Sequence, residues 1–323
     1  MNRWFRNIRL RRRARDVFPP SLLCGRSIAE ERFRDALGRA RSWYREILET
    51  SPSPKGFVHP EWEENIREVE RYFLERFEMA FLGHPRINGT MVFTDRAAHA
   101  AEWSFLETWR PGDTLRNYLA GGMNDGFLEG KLQHAALINS THHLYHLARF
   151  EKFLGEPIDG IGTVVEFGGG YGNLARIFRN VGHLSRYTII DLPLFCCIQY
   201  VFLSTLFGPE AVRLVAKAGE KIIGGTINLV PIPFLEDVHM EGELFVSTWA
   251  LSESPAAAYD HIRERDWCGA RKILLGFNDG WKPWNADELV EALRKKFRRV
   301  VTEPLPFLPG NQYLMAMERS RAG

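Results

Sequence analysis

The length, composition and charge of the chain describe a globular protein. It has 323 residues, of which 45% are hydrophobic and 25% charged, enough to bury the core of one large or two ordinary domains. No apolar run approaches the ~20 residues of a membrane span. The four cysteines, at positions 24, 196, 197 and 268, form no C-x-x-C pair. We therefore expect reduced thiols and a cytoplasmic protein without a transmembrane segment.

The net charge of +2 hides a basic amino-terminal segment, residues 1–20. It contains seven Arg and one Asp, a local net charge of +6, so the rest of the chain is net acidic. Such a segment can make weak contact with an anionic membrane surface or dock a partner, although a solvated tail is the simpler interpretation. The rest of the chain has no stripe of interleaved basic and aromatic residues, so no nucleic-acid partner is predicted.

Residues 21–155 are predicted to form a helical domain. Apolar residues recur at helical spacing over four stretches, which are Ala29–Thr50, Trp62–Phe81, Arg96–Trp109 and Phe127–Leu154. The glycine-rich segment 120–126 precedes the last of these helices and is typical of a loop that closes over a site. This half is therefore interpreted as a cap.

Residues 156–323 alternate between strand and helix patterns, which indicates a parallel sheet with helices on both faces. The predicted strands are Thr163–Phe167, Tyr187–Asp191, Thr226–Val230, Leu244–Trp249, Lys272–Phe277, Arg299–Thr302 and Gln312–Met317. The last two are too close in sequence for a helical crossover, so we expect a hairpin and an antiparallel last strand. The predicted fold class is α/β, a Rossmann-like, seven-stranded doubly wound sheet with an N-terminal helical domain.

A glycine-rich turn after the first predicted strand is typical of a nucleotide-cofactor site. The turn and the acid before it comprise Glu166, Gly168, Gly169, Gly170, Tyr171 and Gly172. Glycine permits unusual backbone angles and close approach of a ligand, and the following helix N-terminus favours a negative group. The dinucleotide pattern G-x-G-x-x-G fails at Asn173, whereas acid-x-Gly-x-Gly-x-Gly fits. That pattern resembles the first motif of class I S-adenosylmethionine (SAM) methyltransferases, in which the acid serves the ammonium of the cofactor.

Residues after the next predicted strands complete a candidate cofactor site. Asp191 follows the glycine turn by about 20 residues, where such folds place the ribose-binding carboxylate, and Leu192 adjoins it. The apolar segment Pro231–Phe234, after the third predicted strand, is interpreted as one wall of an adenine pocket with Phe234 as the cofactor contact, and an ordinary turn is the alternative. Ser247 and Thr248, at the end of the fourth, are predicted to lie beside the methyl sulfonium.

Three side chains are candidates for a catalytic base. Glu253 follows the fourth predicted strand, while His142 and His143 lie on the helix that precedes the first. Imidazole titrates near neutrality, and a carboxylate can also take the proton of an acceptor hydroxyl. The simpler alternatives are a helix-end charge for Glu253 and a structural role for each histidine. His142 and His146 have the spacing of a zinc pair but no motif for a third ligand, so no metal site is predicted.

The carboxy-terminal half is similar to the sugar O-methyltransferase family of the SAM-dependent class I superfamily. The resemblance covers about Leu144 to Met317 and rests on Glu166–Arg176, Asp191–Pro193 with Gln199, Ala250–Glu253 and Asn278. After Asn278, the residues Asp279, Trp281 and Trp284 also suit a carbohydrate. The chain departs from the family at Ser247–Ala250, where it has Ser-Thr-Trp-Ala and the family more often has Ser-Asn-Tyr-Ala.

This resemblance implies an enzyme, a SAM-dependent O-methyltransferase acting on a hydroxyl of a sugar or glycoside in polysaccharide or natural-product biosynthesis. Residues 21–155 are then expected to bind the small-molecule or glycan acceptor and to offer a surface for a homodimer. Two alternatives remain open at this point. One is methylation of a non-sugar metabolite, and the other is a catalytically silent SAM-binding scaffold protein.

Overall fold

The computed structural model describes residues 26–51, 56–120, 131–182, 184–278 and 285–318. Several sequence predictions therefore lie outside the described residues, namely the basic segment 1–20, Cys24, most of the loop over 120–126, and residues 279–284 with Asp279, Trp281 and Trp284. Within the described part of the chain, no helix is both long and apolar enough to cross a membrane.

The amino-terminal half is helical, as predicted. Its helices are α1 (Arg26–Thr50), α2 (Glu63–Arg76), α3 (Pro85–Met91), α4 (Arg96–Trp109), α5 (Gly112–Leu119) and α6 (Lys131–Leu154). The second helix stops at Arg76, short of the predicted Phe81, because the backbone of Phe77 is extended. The short helices α3 and α5 were not predicted, since one or two turns show too little periodicity.

The carboxy-terminal half alternates strands and helices. The strands are β1 (Thr163–Phe167), β2 (Arg186–Asp191), β3 (Val212–Leu214), β4 (Ile227–Pro231), β5 (Leu244–Thr248), β6 (Lys272–Asn278), β7 (Arg299–Pro304) and β8 (Asn311–Met317). The helices are α7 (Asn173–Val181), α8 (Pro193–Phe207), α9 (Ala256–Glu264) and α10 (Ala286–Arg294).

These strands form one sheet in the order β3-β4-β2-β1-β5-β6-β8-β7. All described pairs are parallel except those of β8, which runs antiparallel to both β6 and β7. The predicted fold class, an α/β doubly wound sheet with N-terminal helices and an antiparallel last strand, is confirmed. The sheet has eight strands rather than seven, because the three-residue edge strand β3 is too short to give a sequence pattern.

Side chains of the central strands alternate between two hydrophobic cores, one on each face of the sheet. Val164 and Ile189 belong to the first core, and the following residues, Val165 and Ile190, belong to the second. Helices α7 and α8 cover the first face together with the amino-terminal helices, while α9 and α10 cover the second. The two halves of the chain therefore share the first core, and they enclose the site between them.

Candidate active site

A cleft of about 440 Å³ lies at the carboxyl ends of the parallel strands, against α6 and the segment after α3. Most of the predicted site residues line it, namely His142, His143, Glu166, Gly168, Gly169, Gly170, Tyr171, Asp191, Leu192, Thr248 and Glu253. The fold thus brings the glycine turn, both strand-terminal acids and all three candidate bases into one cavity.

Three predicted site residues do not line this cleft. Gly172 is the amino-terminal cap of α7 and has a left-handed backbone (φ 94°). Of the segment predicted to form the adenine wall, Ile232 lines the cleft, whereas Phe234 is buried in the second core, because the chain makes a short turn directly after β4. Ser247 has a structural role, since its hydroxyl donates to the Phe167 carbonyl at 2.9 Å and accepts from the Leu251 amide at 3.0 Å.

The glycine turn owes its sequence to two different constraints. A Cβ atom on Gly168 (φ 75°) would lie 2.0 Å from Cβ of Ala250, so this position must be glycine for packing as well as for backbone angle. At Gly170 (φ 55°), by contrast, the nearest side chain to such a Cβ atom is Met91 at 3.8 Å. The turn is therefore packed tightly against the protein at Gly168, whereas Gly170 leaves room beside the cleft.

Replacing Gly168 by alanine is expected to destabilise the protein strongly. Gly310 is the matched control, because it is exposed, has φ 79°, and a Cβ atom added there would meet nothing within 4 Å. Alanine at Gly310 should cost only the strain of the left-handed backbone, about 1–2 kcal/mol of folding free energy. Alanine at Gly168 adds the overlap with Ala250, about 1–3 kcal/mol more. Denaturant unfolding measures both, and equal losses would contradict the packing role of Gly168.

Two buried carboxyl groups face the cleft, and neither has a cationic hydrogen-bond partner among the described residues. Glu166 is 2% exposed and accepts a 2.8 Å hydrogen bond from the Tyr187 hydroxyl. Burial raises the pKa of Glu166 to about 8, and the nearby Asp191 adds to the shift, while the bond from Tyr187 opposes it. A positively charged group in the cleft would stabilise this carboxylate.

Asp191 is held in a fixed orientation. Its Oδ1 atom accepts from the Leu192 amide at 2.8 Å, and its Oδ2 atom accepts from Nε2 of Gln199 at 2.7 Å. The same Nε2 atom donates to the Gly170 carbonyl at 3.0 Å, so Gln199 ties the acid to the glycine turn. Burial raises the pKa of Asp191 to about 7 in spite of these hydrogen bonds.

The histidines of α6 have different environments. His142 stacks on Phe93 and on Trp249, with ring centroids 3.8 Å and 5.5 Å away, and its Nδ1 atom is hydrogen-bonded to Glu102. His143 has its Nδ1 atom 3.1 Å from the amide nitrogen of Asn173. Burial lowers the pKa of His143 to about 3, with smaller contributions from His142 and Arg176. These two side chains are therefore not equivalent as proton acceptors.

The loop after β5 presents Trp249 and Glu253 to the cleft. Trp249 has a left-handed backbone (φ 68°), which is uncommon for a bulky residue and occurs most often at functional sites. Its indole nitrogen donates to Oδ1 of Asn311 at 2.6 Å. Burial raises the pKa of Glu253, whose carboxyl makes no hydrogen bond within the described part of the chain.

The sequence pattern does not mark Trp249, Phe93 or Glu102 as residues that line or support the cleft. For Trp249 a signal existed, because it lies where the chain departs from the family pattern. Glu102 gave none, since it is one of many acids in the helical half. Among the described residues, no group of three or more His, Cys, Asp or Glu side chains is arranged to hold a metal ion.

No protein-family model matches the sequence, and no curated protein matches it either. Among solved structures, the chain is similar to magnesium protoporphyrin IX methyltransferase (ChlM) from Synechocystis PCC 6803 with bound SAM, at 13% identity and a TM-score of 0.40, over 70% of this chain and 100% of that one. It is also similar to the mitomycin 7-O-methyltransferase MmcR, at 14% identity and a TM-score of 0.37, over 91% of this chain and 99% of that one. The pyocyanin biosynthetic protein PhzM is similar at 16% identity and a TM-score of 0.37, over 76% of this chain and 75% of that one. A likeness at this level concerns the fold alone.

Proposed function

We propose that the chain is a SAM-dependent O-methyltransferase that methylates a hydroxyl, that of a sugar or glycoside in polysaccharide or natural-product biosynthesis. The observation that supports this most is the meeting of the glycine turn, Glu166, Asp191 and three candidate bases in one cleft. A fold of this kind binds its ligands at the carboxyl ends of the strands, which is where these groups lie.

The side chains present suit SAM as the cofactor. Its ammonium matches the buried carboxyl of Glu166, and its ribose hydroxyls match the oriented carboxylate of Asp191. The apolar side chains of Leu192 and Ile232 line the same cleft and suit the adenine ring. When bound, SAM supplies a methyl group that its sulfonium already activates for transfer.

The protein contributes position and proton removal. A hydroxyl is a very weak acid, so its proton leaves as the methyl group transfers, and a base at hydrogen-bonding distance lowers the barrier. Glu253, His142 and His143 all line the cleft and are the candidates. Amide side chains lie beside aromatic rings there, at Asn139, Asn278, Asn311, Phe93 and Trp249. This mixture suits the hydroxyls and C–H faces of a sugar.

The wider assignments belong to the same proposal. Residues 21–155 form the cap that binds the acceptor, since Asn139 and both candidate histidines belong to this half of the chain, and they also provide the surface of a homodimer. Residues 156–323 form the SAM-binding domain. The enzyme works in the cytoplasm on a small-molecule or glycan acceptor and has no nucleic-acid partner.

Replacing Asp191 by alanine is expected to weaken cofactor binding. S-adenosylhomocysteine (SAH) should bind the unchanged protein at micromolar concentration, and NAD should not bind. The variant should lose about 1.5–3 kcal/mol of binding free energy, the usual loss for hydrogen bonds to a charged group. Asp237→Ala, which removes an exposed acid after β4, is the control. Calorimetry showing equal affinity in both variants would remove Asp191 from the site.

The acceptor class is tested by methyl transfer from radiolabelled SAM to a panel of p-nitrophenyl glycosides and simple phenols. Transfer to a glycoside hydroxyl is the expected result. Transfer only to phenols would favour the non-sugar alternative. SAH binding without transfer to any member of a broad panel would favour the silent scaffold.

A further inference from the structure

Glu102 is a buried carboxyl group to which the proposed function assigns no role. It lies on α4, its side chain is 0% exposed, and its Oε1 atom is hydrogen-bonded to Nδ1 of His142. Within the described residues its other oxygen, Oε2, has no hydrogen-bond partner. Burying a carboxylate is costly unless it is paired. The imidazole of His142 is therefore the contact that accounts for an acid at this position.

The ring of His142 is held on several sides. Phe93 and Trp249 stack on it with interplanar angles of 18° and 26°, and the ring of His146 packs edge-on at 4.2 Å. Nδ1 is committed to Glu102, whereas Nε2 makes no hydrogen bond within the described part of the chain. Since His142 lines the cleft, Nε2 is the ring nitrogen that remains available to a ligand there.

The hydrogen bonds around the neighbouring His143 place its proton on Nε2 rather than on Nδ1. Arg176 can only donate hydrogen bonds, and its Nε atom lies 3.0 Å from Oδ1 of Asn173, which fixes the orientation of that amide. The amide nitrogen of Asn173 therefore donates to Nδ1 of His143 at 3.1 Å. The proton of neutral His143 must then be on Nε2, which leaves this ring without a free lone pair.

We propose that Glu102 is a positioning residue for methyl transfer. Its carboxylate keeps the proton of neutral His142 on Nδ1, so that Nε2 accepts the proton of the acceptor hydroxyl. This inference rests on the proposed function and selects one of its three candidate bases. In the step, the hydroxyl proton moves to Nε2 while an oxygen electron pair forms the bond to the methyl carbon. The electron pair of the carbon–sulfur bond returns to sulfur, which leaves SAH.

Glu253 lacks a comparable arrangement. Its carboxyl lines the cleft, but no hydrogen bond from the described residues fixes its direction. A carboxylate whose direction no hydrogen bond fixes is better suited to binding an acceptor hydroxyl than to receiving its proton at one defined point. The hydrogen bond to Glu102 fixes the position of Nε2 of His142, in the way that a buried acid orients the histidine of other base-catalysed sites.

The tautomers can be measured on the full-length protein without cofactor or acceptor. Long-range 1H–15N NMR spectra distinguish a proton on Nδ1 from one on Nε2, with His142→Gln and His143→Gln used to assign the signals. The expected result is Nδ1–H for His142 and Nε2–H for His143. A His142 ring protonated on Nε2 alone would overturn the proposal.

A second measurement tests the effect on turnover. Glu102→Gln keeps the shape of the side chain and removes its charge, while Glu107→Gln changes an exposed acid on the same helix. With radiolabelled SAM and p-nitrophenyl glycosides, the first should lower kcat about 10- to 100-fold at unchanged SAH affinity, and the second should not. Glu102→Asp, which keeps the charge, should retain more activity than Glu102→Gln. Equal kcat in the unchanged protein and Glu102→Gln would refute the positioning role.

The two proposals can fail separately. If the unchanged protein does not bind SAH, the proposed function fails, while the NMR spectra still report whether Glu102 sets the tautomer of His142. If Glu102→Gln does not fold, the spectra of the unchanged protein decide alone. If SAH binds and the tautomers are reversed, the methyltransferase proposal stands and the role of Glu102 falls.

Discussion

Replacing His142 by glutamine is expected to slow methyl transfer by about 100- to 10,000-fold, the usual contribution of a general base. Glutamine keeps a polar side chain on α6 but cannot take up a proton. SAH affinity should remain nearly intact, because the carboxyl groups proposed to bind the cofactor lie on β1 and β2. The measurement is kcat and KM with radiolabelled SAM and a p-nitrophenyl glycoside, beside calorimetry with SAH.

Glu253→Gln and His143→Gln are the matched comparisons for this variant. A residue that only binds the acceptor should mainly raise KM and leave kcat nearly unchanged. Collapse of kcat in Glu253→Gln alone would transfer the role of base to that carboxylate. Near-normal turnover in all three variants would place the base elsewhere, with Asp279, outside the described residues, as the next candidate.

The parts of the site that the sequence predicts are those encoded by local pattern. A buried strand, an acid at its end, a glycine turn and a second acid about 20 residues later are all neighbours along the chain. The seven predicted strands agree with the structure to within one or two residues. The central strands β1, β2, β4, β5 and β6 are buried and largely apolar, which makes their patterns clear. The fold then places Glu166 and Asp191 beside each other without further information.

The parts that the sequence does not predict depend on packing between distant segments. Glu102 meets His142 only because α4 packs against α6, and no spacing rule links residues of two separate helices. The left-handed backbone of Trp249 is likewise set by its surroundings. Phe234 shows that local pattern can also mislead. Its ring was predicted to face the cofactor, but the turn after β4 directs it into the second core.

The affinity for SAH is expected to rise with pH between about pH 6 and 8. In the free protein burial raises the pKa of Glu166 to about 8, so this carboxyl is protonated over most of that range. An ammonium beside it favours the carboxylate, so binding must release the proton. Each pH unit below 8 then costs up to about tenfold in affinity. Calorimetry in buffers of different ionisation enthalpy measures the proton released.

The raised pKa of Glu166 also determines how the stability of the free protein depends on pH. A carboxyl whose pKa is raised in the folded state binds more protons there than in the unfolded chain, so the free protein should lose stability as pH rises from about 4.5 to 8. Asp191, with a pKa of about 7, should add to this loss up to about pH 7. Thermal unfolding of the free protein across this range is the measurement.

Two variants separate Glu166 from the other titrating groups. Glu166→Gln should bind SAH weakly and should lose the pH dependence above about pH 7, since Asp191 titrates below that. Tyr187→Phe removes the hydrogen bond that lowers the pKa of Glu166, so the rise in affinity should move to higher pH. A flat affinity between pH 6 and 8, without proton release, would show that the cofactor ammonium does not bind at Glu166.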